Sequence, residues 1–131
     1  MNSILGYIYW KMPAVLCAAF ILFLTSHPTL EAPNLGLVWQ DKLYHCIAYF
    51  GFGLTLSRAI SRNNYINFIA GFKKILLIGF AFAAFDEAHQ IFIPTRSADI
   101  LDATADGVGV LVATFVYFVF LRWNQRRVSR N

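Results

Sequence analysis

Acidic and basic side chains embedded in apolar sequence are expensive to keep, so those that recur at helical spacing mark a shared polar face. Asp86, His89 and Gln90 stand at i, i+3 and i+4, and Glu87 precedes Gln90 by three. Asp99, Asp102 and Asp106 fall on one helical stripe, and Asp41, His45 and Tyr49 recur every four residues. These residue types suit proton transfer to or from an anionic ligand. Asp86, Glu87 and His45 are the candidate acids and bases, while Asp41, Lys42, Gln90, Arg96, Asp102 and Asp106 are the candidate substrate-binding groups. So many neighbouring carboxyls cannot all carry charge in a medium of low dielectric unless Arg96, Lys42, His45 or a metal compensates. A carboxyl kept protonated in this way is what a general acid near neutral pH requires.

Plainer roles compete for some of these positions. Asp41 reads as an N-cap of the second helix, Ser97 or Asp99 as that of the fourth, and Arg96 as an interfacial cation. His45 and His89 show neither H-x-x-x-H nor H-E-x-x-H spacing, so no metal ligand set is assigned and the cofactor stays open. Cys17 and Cys46 lie in apolar runs without CxxC spacing and read as small buried hydrophobes. Gly51, Gly53, Gly107 and Gly109 read as close helix-packing positions, since no strand precedes either GxG.

The elements that must hold these residues are membrane helices. In 131 residues, 58% are hydrophobic and 17% aromatic, and the mean hydropathy of +0.55 departs from soluble globular composition. An all-α integral membrane bundle of four transmembrane helices in one domain, 1–131, is expected, with spans at about 7–26, 42–60, 74–93 and 100–121. Ser26-His27-Pro28 ends the first run, Asn63-Asn64 marks the turn after the second, and Pro94 ends the third. Tyr65 to Phe72 is apolar enough to lie along the interface. Lys11 before an apolar stretch has the look of a signal peptide, but no small-x-small cleavage pattern follows and Leu16 before Cys17 spoils a lipoprotein site. A retained helix is expected.

Charge then sets the topology. With both termini cytoplasmic, Lys11, Arg58, Arg62, Lys73, Lys74, Arg122, Arg126, Arg127 and Arg130 fall on the cytoplasmic side, leaving only Lys42 and Arg96 outside. Every acid (Glu31, Asp41, Asp86, Glu87, Asp99, Asp102, Asp106) falls on the outer side. The net charge of +4 is therefore a topology signal with anionic-lipid contact, in a cytoplasmic (inner) membrane, and nucleic acid is not an expected partner. Trp10, Trp39 and Trp123 each stand near an expected membrane boundary.

The strings Asp41-Lys42-x-x-His45 and Asp86-Glu87-x-x-Gln90-x-Phe92-x-Pro94-x-Arg96-Ser97, followed by Asp102 and by Asp106-x-x-Gly109, resemble the VanZ-like family of bacterial membrane proteins. Ser26 and Pro28 are similar to the family's end to its first span. Thr95 stands where the family often has glycine, and Asp106 where asparagine is common. The resemblance implies a cell-envelope role, the founding example being associated with resistance to teicoplanin. The reading that follows is an outer-leaflet polar site that binds, and chemically modifies or simply holds, a membrane lipid or lipid-linked wall intermediate. Two alternatives stay open: a non-catalytic scaffold of an envelope complex, and a small proton-coupled transporter.

Overall fold

A backbone surrounded by lipid must satisfy its hydrogen bonds within the segment, which makes long apolar runs helical. The computed structural model describes residues 3–27, 29, 33–61 and 68–128. The described residues form four helices: α1 (Ser3–Thr25), α2 (Gln40–Ser61), α3 (Phe68–Gln90) and α4 (Ile100–Val128). Three of them, α1, α3 and α4, are long and apolar enough to cross a membrane. Their outer faces stay apolar, with Phe20, Leu77, Phe85, Phe115 and Phe120 exposed, as expected of surface that meets lipid. The chain is a multi-pass, all-helical membrane protein.

The helix of lowest hydropathy among the four, α2, packs against all three others, most extensively against α4. Its buried Tyr49, Phe52 and Leu56 join Ile21 of α1, Ile75 and Ala83 of α3, and Val110 and Phe118 of α4 in one core. Close approach is built from glycine. A Cβ on Gly53 would lie 3.0 Å from the Cα of Val110. One on Gly109 would press into the α2 backbone at Cys46, Tyr49 and Phe50. Gly51 faces open space and Gly107 faces the ring of Phe80, so only one glycine of each expected pair brings α2 and α4 together.

Several boundaries differ from the sequence expectations, the start of α1 at Ser3 among them. Pro94 ends the third helix earlier than expected, at Gln90, because proline disfavours helical geometry at the residue before it and residues 91–95 instead form turns. Residues Phe68–Phe72 belong to α3 and do not form a separate interfacial segment. The helix α4 runs past Leu121 to Val128. Because α2 begins at Gln40, Asp41 lies in its first turn and is not its N-cap. Pro13 lies inside α1 without ending it. Pro28, Glu31, Arg62, the Asn63-Asn64 turn, Tyr65 and Arg130 lie outside the described residues.

The charges segregate by end. The Arg58 guanidinium donates to the carbonyl of Tyr9 and lies 4.5 Å over the Trp10 ring, while Arg122 lies 4.5 Å over Phe68. These contacts gather the start of α1, the end of α2, the start of α3 and the end of α4 at one basic pole. The described acids meet at the opposite pole.

Candidate functional site

The polar pole is built from the start of α2, the end of α3 and the start of α4. On α3, Asp86, Glu87 and Gln90 are all buried. Adjacent helical residues differ by about 100° in direction, which turns His89 away from Gln90: it is half-buried and stacks on Phe85 at 6.3 Å. The expected Asp86–His89–Gln90 face is therefore an Asp86–Glu87–Gln90 face. The early end of α3 also makes the site shallower than the seven residues from Asp86 to Ile93 imply. Asp86 stands four residues, or about 6 Å, from the helix end.

Asp86 is completely buried and fully engaged. Thr25 Oγ1 donates to its Oδ1 at 2.7 Å, and the Tyr49 hydroxyl donates to its Oδ2 at 3.1 Å. One carboxyl thereby ties α3 to both α1 and α2. Glu87 accepts from Gln90 Nε2 at 3.2 Å and from the backbone N–H of Asp99 at 2.9 Å, so it fixes the α3–α4 connection against the site. Gln90 acts as a support for Glu87.

Asp99 is the N-cap of α4, accepting from the N–H of Leu101 at 2.8 Å; Ser97 is not. The Lys42 ammonium is the hub of the pole, 2.7 Å from Asp102 Oδ1, 2.8 Å from Asp99 Oδ2 and 3.1 Å from Asp41 Oδ2. Lys42, with the Leu101 N–H, holds the Asp99 carboxyl below the usual carboxylate range. Asp41 is exposed at the rim. Deeper, His45 Nδ1 lies 3.0 Å from Asp106 Oδ1 and its Nε2 lies 4.0 Å from Asp102 Oδ2.

Seven of the nine expected residues therefore meet: His45, Lys42, Asp86, Glu87, Gln90, Asp102 and Asp106, with Asp41 paired to Lys42 at the rim. Arg96 follows the turn after α3, its backbone N–H bonded to the Ile93 carbonyl. Its guanidinium forms no ion pair among the described residues, leaving a cation for an external anion. Sequence reasoning missed Thr25, whose only signal is that it closes the first apolar run, and it left Tyr49 and Asp99 without site roles.

Two groups of three donors lie close enough to hold a cation: Asp41, His45 and Asp102, and, deeper, His45, Glu87 and Asp106. Their ligands come from two and three different helices, respectively, which is why neither shows as a short sequence spacing. Compared with known families, the sequence matches the model described as VanZ/LLP1 over residues 9–121. Searches of curated proteins and of solved structures each gave no match.

Proposed function

Since the chain belongs to the VanZ/LLP1 family, with the match running through all four helices, we propose that it is a bacterial inner-membrane protein of four spans. In this reading both termini are cytoplasmic and the polar pole is an outer-leaflet site for an envelope lipid or lipid-linked wall intermediate. The helix α2 serves as the fourth span because, enclosed by α1, α3 and α4, it needs little apolar outer surface. The basic pole, with Lys11, Arg58, Lys73, Lys74, Arg122, Arg126 and Arg127, supports the orientation through the preference of such residues for the cytoplasmic face.

The observation that carries the proposal is the convergence of Lys42, His45, Glu87, Asp102 and Asp106 from three helices, each within a turn or two of its helix end. Simple helix adhesion requires far fewer charges. Arg96 and Lys42 attract an anionic head group, and Glu87, His45 and Asp106 form the polar floor beneath it. A link to glycopeptide susceptibility follows from the family's name for its founding member.

Native mass spectrometry of the purified protein tests this. A lipid or glycan adduct on wild type that is lost in an equally stable Glu87→Gln variant supports a ligand site. A folded wild type that never carries an adduct removes the proposal. One observation favours a second reading, a scaffold: Asp86 spends both oxygens on Thr25 and Tyr49, as a structural tie would.

A further inference from the structure

We propose that His45, Glu87 and Asp106 form a binding site for one divalent transition-metal ion at the floor of the polar pole. This rests on the reading of that pole as a ligand site and names part of what it holds. One ring nitrogen of His45 and one carboxylate oxygen each of Glu87 and Asp106 lie within 4.8 Å of one another. Metal–ligand bonds of about 2.0–2.2 Å require only a small inward movement of such a triad.

Three further observations point to a cation there. Asp106 is fully buried, and although its Oδ1 faces His45, its Oδ2 is buried with no hydrogen-bond partner. An orphaned carboxylate oxygen at a site with no access to solvent is costly unless a cation or proton takes it up. The charge balance runs the same way: Asp86, Glu87, Asp102 and Asp106 are all buried, and among the described residues Lys42 pairs with Asp102 and His45 with Asp106, while Asp86 is met by the neutral Thr25 and Tyr49. The Lys42 ammonium is bound to Asp102, Asp99 and Asp41, which serves the outer triad of Asp41, His45 and Asp102 and leaves the inner one without a lysine.

The inner triad also has its supports in place. Glu87 is held by Gln90 and by the Asp99 N–H, as carboxylates that ligate metals commonly are. Each carboxylate oxygen keeps a second lone pair for a metal. One imidazole with two carboxylates fits Zn²⁺ or Mn²⁺ better than Ca²⁺ or Mg²⁺, which favour oxygen-only shells. Bound at this depth, the ion would leave open positions toward the rim, where a phosphate of an anionic lipid would complete its coordination.

The test uses the purified full chain after chelator treatment, with Zn²⁺, Mn²⁺ and Mg²⁺ added separately. The expected result is retention of about one equivalent of Zn²⁺ or Mn²⁺, with a rise in Tm of at least about 4 °C. Bound Mn²⁺ should show nitrogen hyperfine coupling from His45 in pulsed electron paramagnetic resonance, a readout that needs no variant. Retention should fall at least tenfold in His45→Gln and Glu87→Gln and stay unchanged in Arg58→Gln, at the opposite pole. Wild type that neither retains a metal nor shows nitrogen coupling overturns the inference, as does equal retention in folded Glu87→Gln. A lipid adduct that persists on metal-free protein with no metal uptake sinks the metal alone and leaves the proposed function standing. Metal uptake without any adduct does the reverse.

Discussion

Thr25 Oγ1 donates to Asp86 Oδ1 across 2.7 Å, joining the last residue of α1 to the buried end of α3. Together with the Tyr49 hydroxyl it accounts for both Asp86 oxygens. Removing a donor leaves a buried oxygen unpaired, which costs about 1–3 kcal/mol. Thr25→Val and Tyr49→Phe should each lower stability by that amount in detergent unfolding. They should be non-additive with Asp86→Asn, because the three groups form one network. Additive losses would show that Asp86 does not depend on these donors.

Gly109 and Gly51 form an internal comparison. A methyl group at Gly109 meets the α2 backbone at Phe50 N (2.9 Å) and Tyr49 C (3.2 Å), whereas one at Gly51 meets nothing within 4 Å. Gly109→Ala must part α2 from α4 and should cost more than about 2 kcal/mol. Gly51→Ala should be neutral or stabilising by up to about 1 kcal/mol, the intrinsic helix preference for alanine. Thermal unfolding of the two variants side by side checks the pair.

The sequence carries the existence of the helices clearly, because apolar length and the charges that flank it follow from the physics of lipid. The candidate residues were legible for the same reason: Glu87 and Asp106 have no business in hydrocarbon alone. Partner choice was not. A stripe at i, i+3 and i+4 is wide enough to admit both His89 and Glu87, and only the packing of α3 decides that Glu87 turns inward. Likewise the start of α2 at Gln40 sends Lys42, and not Asp41, into the acids. The inner triad draws its members from three helices, so no spacing within one segment announces it.

Thr95 has a positive φ of 68° in the turn after α3, a conformation that a β-branched residue adopts only under strain. Thr95→Gly should raise stability by about 1 kcal/mol, the relief of strain exceeding glycine's greater freedom in the unfolded chain. A drop in Tm for Thr95→Gly would mean that the threonine side chain contributes a contact that outweighs its strain.

Asp99 makes a pH-dependent contribution with a definite sign. Lys42 first, and the Leu101 N–H second, hold its carboxyl below the ordinary range in the folded protein. The stabilisation is therefore present above the unfolded-state value of about 3.9 and is lost as pH falls through the lower folded-state value. Asp41 and Asp102 share Lys42, and Glu87 accepts from the Asp99 N–H, so the comparison must isolate Asp99. Asp99→Asn does so, since asparagine caps a helix as well as aspartate. The variant should be less stable than wild type at pH 7, and the gap should narrow as pH falls below the unfolded-state value and close once it has passed the lowered folded-state one. A gap independent of pH would assign the loss to something other than charge.

Arg96 separates binding from folding. Its guanidinium has no ion-pair partner among the described residues, so Arg96→Gln should change stability by less than about 0.5 kcal/mol, as for a surface change away from any network. Lys42→Gln instead strips the counter-charge from Asp99 and Asp102 and should destabilise the fold. If the polar pole receives an anionic head group, Arg96→Gln should still weaken its retention roughly 10-fold or more, the loss of one charge-assisted hydrogen bond of about 1.5–3 kcal/mol. Lipid retention measured at equal Tm decides the point. Unchanged retention in Arg96→Gln would confine head-group recognition to Lys42 and the groups beneath it.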